Sequence, residues 1–186
     1  MALIILGIIL WSVVHLIPAV TPGIKARWQG ALGKNGYRAS FSLLILAALL
    51  MMVMGWRHSL PIYLYTLSEQ IHLATIGIMT FAVVLFVAAK LPSRLKRIIR
   101  HPQLTGVALW ALAHLLANGD SRSVALFGGV LTWAVIEIIV INRREGQWQK
   151  PPAKGLYIEV LLLGISAAVF VGLIMAHPYL SGIKLG

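Results

Sequence analysis

Two histidines lie inside strongly apolar segments of the chain, and each follows a tryptophan by four residues. The pairs are Trp11–His15 and Trp110–His114. This spacing places both rings of a pair on the same face of a helix, one turn apart. Imidazole nitrogen is a good ligand for iron, and flat aromatic rings suit the surroundings of a macrocycle. The pattern would suit a haem iron between His15 and His114, with Trp11 and Trp110 beside it. The alternative is that each imidazole only hydrogen-bonds to a neighbouring helix.

A carboxyl group and a third histidine add to this prediction. Glu137 lies deep in an apolar segment, where ionisable groups usually have a function. It could accept the Nδ1–H of a ligand histidine, or pair with Arg143 or Asn142. His72 is the rival to His15 as partner of His114, and the sequence leaves both alternatives open. The chain contains no Cys, which excludes disulfides, thiolate nucleophiles, iron–sulfur clusters and Cys-ligated haem.

A basic segment precedes the fourth apolar run. Arg100 and His101 come before Pro102, which suits a first helical position because it lacks an N–H that would go unpaired there. The positive end of the helix and these two side chains could bind a lipid headgroup, a cofactor phosphate or a carboxylate. The alternative is an interfacial basic anchor at the start of a helix.

Six apolar runs must position these residues. They span roughly 2–20, 38–55, 69–89, 103–118, 122–141 and 156–176, near the length of about 17–25 residues that a bilayer-spanning helix needs. A hydrophobic fraction of 59%, 11% charged residues and a mean hydropathy of +0.87 exclude an ordinary soluble domain. We predict one all-α integral membrane domain over residues 1–186, a six-helix bundle in a lipid bilayer. Lys34-Asn35-Gly36 predicts a turn before the second helix, and the segment from Lys90 to Pro102 a short interfacial helix.

The basic residues are concentrated in alternate loops. Thirteen of the sixteen Lys and Arg residues lie in the first, third and fifth loops. They are Lys25, Arg27, Lys34, Arg38, Lys90, Arg94, Lys96, Arg97, Arg100, Arg143, Arg144, Lys150 and Lys154. Cytoplasmic loops are enriched in Lys and Arg, so both termini are predicted to be extracytoplasmic. This explains the basic pI without nucleic acid as a partner. His15 and His114 then lie on oppositely directed helices, as in a 3+3 inverted repeat.

The segment Arg100-His101-Pro102-Gln103-Leu104-Thr105-Gly106, followed by residues 109–120, resembles the NnrU family. These are membrane proteins associated with nitrite and nitric oxide reduction. The chain is also similar to the plant 15-cis-zeta-carotene isomerase family, in which two membrane histidines hold a haem b. The resemblance implies a bacterial inner-membrane, multi-pass protein with haem b on His15 and His114. It implies redox or nitric oxide handling, or isomerase-like chemistry on a lipid-soluble substrate. The isomerases have a Cys where this chain has Ala111, so ligand exchange by that sulfur is absent.

A second resemblance is more distant. The motif Arg-His-Pro-x-Tyr-x-Gly of the isoprenylcysteine carboxyl methyltransferases is similar to the segment at Arg100 and His101, but Leu104 replaces the Tyr. The paired glutamates of that family are missing, since only the single acids Glu137 and Glu145 follow. This resemblance implies, as an alternative, a membrane methyltransferase that binds S-adenosylmethionine. A haem-free accessory membrane protein is the remaining interpretation, and whether the chain is an enzyme stays open.

Overall fold

The computed structural model describes residues 1–152 and 154–182, apart from the side chains of His72 and Leu180. This part of the chain forms six α-helices: α1 (Ala2–Val20), α2 (Pro22–His58), α3 (Glu69–Ala88), α4 (Pro102–Ala117), α5 (Ser121–Glu145) and α6 (Leu156–Ser181). A 3-10 helix, Arg94–Arg97, lies in the basic segment before α4, where a short helix was predicted. An isolated bridge between Tyr63 and Asp120 is the one β-type pairing among the described residues. The all-α prediction is confirmed.

Five of these helices are long and apolar enough to cross a membrane: α1, α2, α3, α5 and α6. The remaining apolar helix, α4, has 16 residues and a length of about 24 Å, less than the hydrocarbon thickness of about 30 Å. Many large apolar side chains on the helix surfaces are exposed, including Leu43, Val160 and Met175. Exposed apolar surface of this extent suits lipid, so the chain is a multi-pass membrane protein.

The prediction of a loop between the first two apolar runs is wrong. The chain between the first two apolar runs is helical, and α2 begins at Pro22 instead of residue 38. The predicted turn at Lys34-Asn35-Gly36 is also helical, because the break in α2 falls one residue earlier, at Gly33, with φ 69°. A positive φ is accessible to glycine without steric cost. The part of α2 after this break begins only a few residues before its apolar run, and residues 22–32 form a separate helical segment where a loop was predicted.

Helix α5 extends past its apolar run at both ends. Its N-cap is Asp120, whose carboxylate accepts hydrogen bonds from the amides of Arg122 and Ser123. Its last turn contains Arg143 and Arg144, whose charges are favourable beside the negative end of the helix dipole. The Asp120 cap and the charges of Arg143 and Arg144 therefore stabilise helical residues outside the predicted range 122–141.

Helix α5 also occupies a central place in the packing. It packs against both α1 and α4, while α1 packs against α2, and α3 packs against α4 and α6. The buried core around α5 contains Phe127, Val130, Trp133 and Ala134, with Ala111 from α4. The side chains of α5 therefore form a wall that α1 and α4 share.

Three basic segments meet at one end of the bundle, which we call the basic end. Arg144 at the end of α5 donates a hydrogen bond to the carbonyl of Pro18 near the end of α1, at 2.9 Å. Arg100, before α4, donates to the carbonyl of Gly146 after α5, at 2.8 Å. At the opposite end, the amino group of Met1 contacts the Ser59 hydroxyl. The structure thus brings the end of α1 together with residues of the third and fifth predicted loops on one side.

Candidate functional site

His15 lies in α1 against the wall formed by α5. Its Nδ1–H donates to the carbonyl of Trp11, one turn earlier, at 2.9 Å. The imidazole centroid is 4.3 Å from the Trp11 ring, 4.9 Å from Trp133 of α5 and 5.6 Å from Phe41 of α2. Because a carbonyl can only accept, the neutral ring carries its proton on Nδ1 and its lone pair on Nε2.

His114 repeats this local arrangement in α4. Its Nδ1–H donates to the carbonyl of Trp110 at 2.8 Å, and the two ring centroids are 4.8 Å apart. On its other side the imidazole stacks on Phe127 of α5, at 4.4 Å and 27°. His177 of α6 lies close enough to act electrostatically on His114, a proximity that the sequence alone did not predict.

The structure therefore brings both imidazoles to α5, but onto different side chains of it. Among the ring contacts of the described residues, none joins His15 directly to His114. Within the same part of the chain, no residue forms a hydrogen bond with the Nε2 of either imidazole. The hydrogen bond at Nδ1 fixes each ring, and the Nε2 lone pair can accept a metal ion or a hydrogen-bond donor from outside the chain.

Glu137 is buried one turn beyond Trp133, with 7% of its surface exposed. It does not accept the Nδ1–H of either histidine, because the Trp11 and Trp110 carbonyls do so. Asn142, one of its predicted partners, instead bonds to His101. The indole N–H of Trp133, one turn earlier on α5, donates toward the Glu137 carboxyl, and Oε2 of that carboxyl is buried.

Arg100 and His101 are engaged with the end of α5. The Arg100 guanidinium forms an ion pair with Glu145 at 3.2 Å and also bonds to the Gly146 carbonyl. The Nε2–H of His101 donates to Oδ1 of Asn142 at 3.0 Å. These contacts join the start of α4 to the end of α5, as an interfacial anchor would, and they use the groups predicted to bind a cofactor phosphate.

The remaining histidines whose side chains the structure describes form no metal cluster. The side chain of His72, the rival ligand, lies outside the described residues. His58 is exposed, and its Nδ1–H donates to the Met54 carbonyl at 2.8 Å. In the described part of the chain, no three His, Asp or Glu side chains gather closely enough to hold a metal ion.

A network at the opposite end was missed by sequence reasoning. Arg122 lies over the Trp56 ring, 4.6 Å from its centroid, and donates to the carbonyls of Trp56 and Ser59. Burial opposes ionisation of Asp120, but hydrogen bonds from Ser123 and the nearby Arg122 charge outweigh it and lower the pKa of this carboxyl. The signal that could have found the cap is Asp120 followed by Ser123, an N-cap pattern.

Comparisons of the chain with curated proteins and with solved structures find no match. The family model described as NnrU protein matches residues 3–185. Since this match covers nearly the whole chain, the protein belongs to the NnrU family.

Proposed function

We propose that this protein binds haem b in the membrane, where His15 and His114 would hold the iron, and that it acts in redox or nitric oxide handling. One observation carries the proposal. Both imidazoles lie in the helical bundle with Nδ1 fixed by a carbonyl and Nε2 without a partner in the described chain. An imidazole held in this way has the tautomer and orientation of a metal ligand.

The surrounding residues fit such a group in their chemistry. Trp11 and Trp133 lie beside His15, and Phe127 stacks on His114. Flat aromatic rings therefore border both imidazoles. When bound, haem b supplies one-electron redox chemistry or a site for nitric oxide. The chain's own part is to hold Nδ1–H, exclude water with these rings and fix the direction of each Nε2 lone pair.

The separation of the two histidines decides how the proposal must be tested. A metal–imidazole bond is about 2 Å, so one iron needs two Nε2 atoms about 4 Å apart. In the structure the imidazoles lie on Trp133 and Phe127, which are about 9 Å apart along α5 by their spacing in sequence. The residues that the two imidazoles contact are therefore farther apart than one iron would bridge, and each histidine is tested by its own variant.

The orientation of the protein is part of the proposal. The gathering of basic residues at one end of the bundle supports a cytoplasmic basic end in the bacterial inner membrane, with both termini on the other side. Cysteines introduced singly at residue 35 and residue 63, in a chain that has none of its own, test this. A membrane-impermeant thiol reagent added to intact cells should label residue 63 and spare residue 35, and the reverse would overturn the orientation.

The haem proposal is tested by the absorbance spectrum and haem content of the detergent-purified protein. We expect a Soret band with low-spin features, and loss of haem by at least about tenfold in both His15→Ala and His114→Ala. His58→Ala is the matched control, because His58 has the same Nδ1–carbonyl bond but is exposed, and it should keep haem. Nitric oxide should shift the Soret band of the wild type.

The outcomes are separable. Loss of haem in only one variant would keep haem but overturn the paired ligation. A colourless protein after expression with added haem precursor would overturn haem binding altogether. If that protein retained radiolabelled S-adenosylmethionine, and lost it in His101→Ala, the methyltransferase hypothesis would replace the present one.

A further inference from the structure

The segment between α2 and α3 crosses the end of the bundle opposite the basic end. Residues 60–65 of this segment, which we call the strap, include no charged side chain. The strap is bonded to the link between α4 and α5. The Ser121 amide donates to the Ile62 carbonyl at 2.8 Å, and the Leu64 amide donates to the Gly119 carbonyl at 2.8 Å. Backbone hydrogen bonds therefore hold the strap against the bundle.

Large apolar side chains of the strap are exposed. The exposed fractions of Leu60, Ile62 and Leu64 are 87%, 65% and 52%. Alternate residues of an extended segment lie on the same side. Tyr65, on the other side, donates its hydroxyl to the Leu115 carbonyl at 2.6 Å. A tyrosine thus anchors one side of the strap to the protein, while three aliphatic side chains remain exposed on the other.

The lengths of α1 and α5 place the strap at one face of the membrane. Asn142, at the basic end, lies 21 residues along α5 from Ser121, which is about 32 Å. Pro18, also at the basic end, lies 17 residues along α1 from Met1, or about 26 Å, and Met1 contacts Ser59 just before the strap. Both lengths are close to the hydrocarbon thickness of about 30 Å. With the basic end at one face, the strap lies at the hydrocarbon boundary of the opposite face.

The polar residues near the strap suit this level. Arg57 and Glu69 lie at the adjoining ends of α2 and α3, from which long side chains can reach the headgroups. Asp120 and Arg122 form an ion pair at 3.5 Å, so their charges are paired within the protein, as membrane depth requires. Tyr63 is 71% exposed, and its amphipathic ring is of the type enriched at membrane interfaces. The surroundings of the strap are therefore those of a membrane interface.

The exposed apolar surface of the strap continues that of the adjoining helices. Met54 near the end of α2 and Leu73 near the start of α3 are also exposed, on helices long and apolar enough to cross a membrane. We infer that the strap is a lipid-binding surface, with Leu60, Ile62 and Leu64 inserted among the acyl chains at the face of the membrane opposite the basic end. Little water reaches the backbone of the α4–α5 link at this level, and the strap supplies its hydrogen-bond partners. The inference depends neither on haem nor on which face is cytoplasmic.

The test is fluorescence quenching of a bimane label in nanodiscs that hold one chain each. The variants are Leu64→Cys in the strap, Leu50→Cys in α2 and Gln149→Cys in the loop after α5. Leu50 is the matched lipid control, because its exposed fraction of 53% is close to that of Leu64, and the exposed Gln149 is the aqueous control. Brominated phospholipid quenches a label in lipid, whereas iodide quenches a label in water. The ratio of lipid quenching to iodide quenching should be at least threefold higher for Leu64→Cys than for Gln149→Cys.

The position of the bromines measures depth. Bromines near the headgroup end of the acyl chain should quench Leu64→Cys at least twofold more than bromines near the methyl end. The order should reverse for Leu50→Cys, which lies about 12 Å from the end of α2. A ratio for Leu64→Cys less than threefold above that of Gln149→Cys would place the strap in water and overturn the inference. Protection of Leu64→Cys from both quenchers would show that protein covers the strap, and would overturn it as well.

Discussion

Replacing Gly119 by Ala should detach the segment between α2 and α3 from the bundle. A Cβ at this position would lie 1.7 Å from the backbone oxygen of Tyr65, a distance that no rotation of a side chain can relieve. The Gly119 carbonyl accepts from the amides of Leu64 and Tyr65 at 2.8 and 3.1 Å, and Ser121 donates to Ile62 at 2.8 Å. The Tyr65 hydroxyl donates to the Leu115 carbonyl at 2.6 Å. To make room for the added methyl group, the segment must move away from Gly119, which would break these four hydrogen bonds.

The size of the effect follows from these bonds. Each contributes about 0.5–1.5 kcal/mol net, so the loss of all four should lower the free energy of unfolding by about 2–6 kcal/mol. The measurement is unfolding by SDS titration in mixed micelles, followed by tryptophan fluorescence. Chymotrypsin digestion in nanodiscs should also show faster cleavage at Tyr63 and Tyr65 in the variant. If only the segment between α2 and α3 detaches, cleavage at Tyr63 and Tyr65 should become faster while the free energy of unfolding changes less.

A control separates this clash from a general effect of adding a methyl group. Gly77→Ala changes an exposed position of α3 with no atom within 4 Å of its Cβ, and should stabilise the helix by about 0.5–1 kcal/mol. Tyr65→Phe should lower the free energy of unfolding by about 1 kcal/mol, because it removes the hydroxyl bond to the Leu115 carbonyl. If Gly119→Ala unfolds within about 0.5 kcal/mol of the wild type and resists cleavage equally, the described docking of this segment is wrong.

Three further predictions concern the same framework. Gly55→Ala should destabilise the protein by about 1–3 kcal/mol in SDS unfolding, because its Cβ would lie 2.7 Å from the Ile4 amide nitrogen of α1. The pKa of Asp120 is lowered in the folded state. The ionised carboxyl therefore stabilises the fold above its ordinary pKa of about 3.9, and this stabilisation is lost as the pH falls through the lower folded value. Between pH 6 and pH 3 the free energy of unfolding should accordingly fall less in Asp120→Asn than in the wild type. Arg100→Gln should lower the free energy of unfolding in SDS by about 1 kcal/mol. Arg97→Gln, at an exposed position, should leave it unchanged within error.

The helices could be predicted from the sequence because lipid imposes a simple rule. A segment in hydrocarbon must satisfy its own backbone, so apolar runs of sufficient length become helices. The rule fails where the chain leaves the hydrocarbon, which is why α2 and α5 are longer than their apolar runs. At Gly33 the break depends on one residue with positive φ, and the neighbouring Lys34-Asn35-Gly36 pattern was an equally good local candidate.

The candidate site could be predicted in part. The spacing of Trp and His correctly placed each pair on one helix face, and ring contact within each pair followed. The Nδ1 partners were not predicted, because a helical histidine can reach its own backbone one turn earlier and no side chain is needed. The contacts of His15 with Trp133 and of His114 with Phe127 depend on helix packing, which the sequence of any single helix does not specify.

The buried stripe of α5 lies beside the proposed haem site. From Phe127 through Trp133 to Glu137, this face packs between α1 and α4. A helix that only filled this space would be most stable with small or apolar residues throughout, because a buried polar atom without a partner has a free-energy cost. Here the stripe carries the Trp133 indole and the Glu137 carboxyl, which pair with each other one turn apart, next to the His15 imidazole, whose Nε2 has no partner within the described chain. A carboxyl buried at this depth is unfavourable for packing alone, and a ligand bound beside α5 would offset part of that cost.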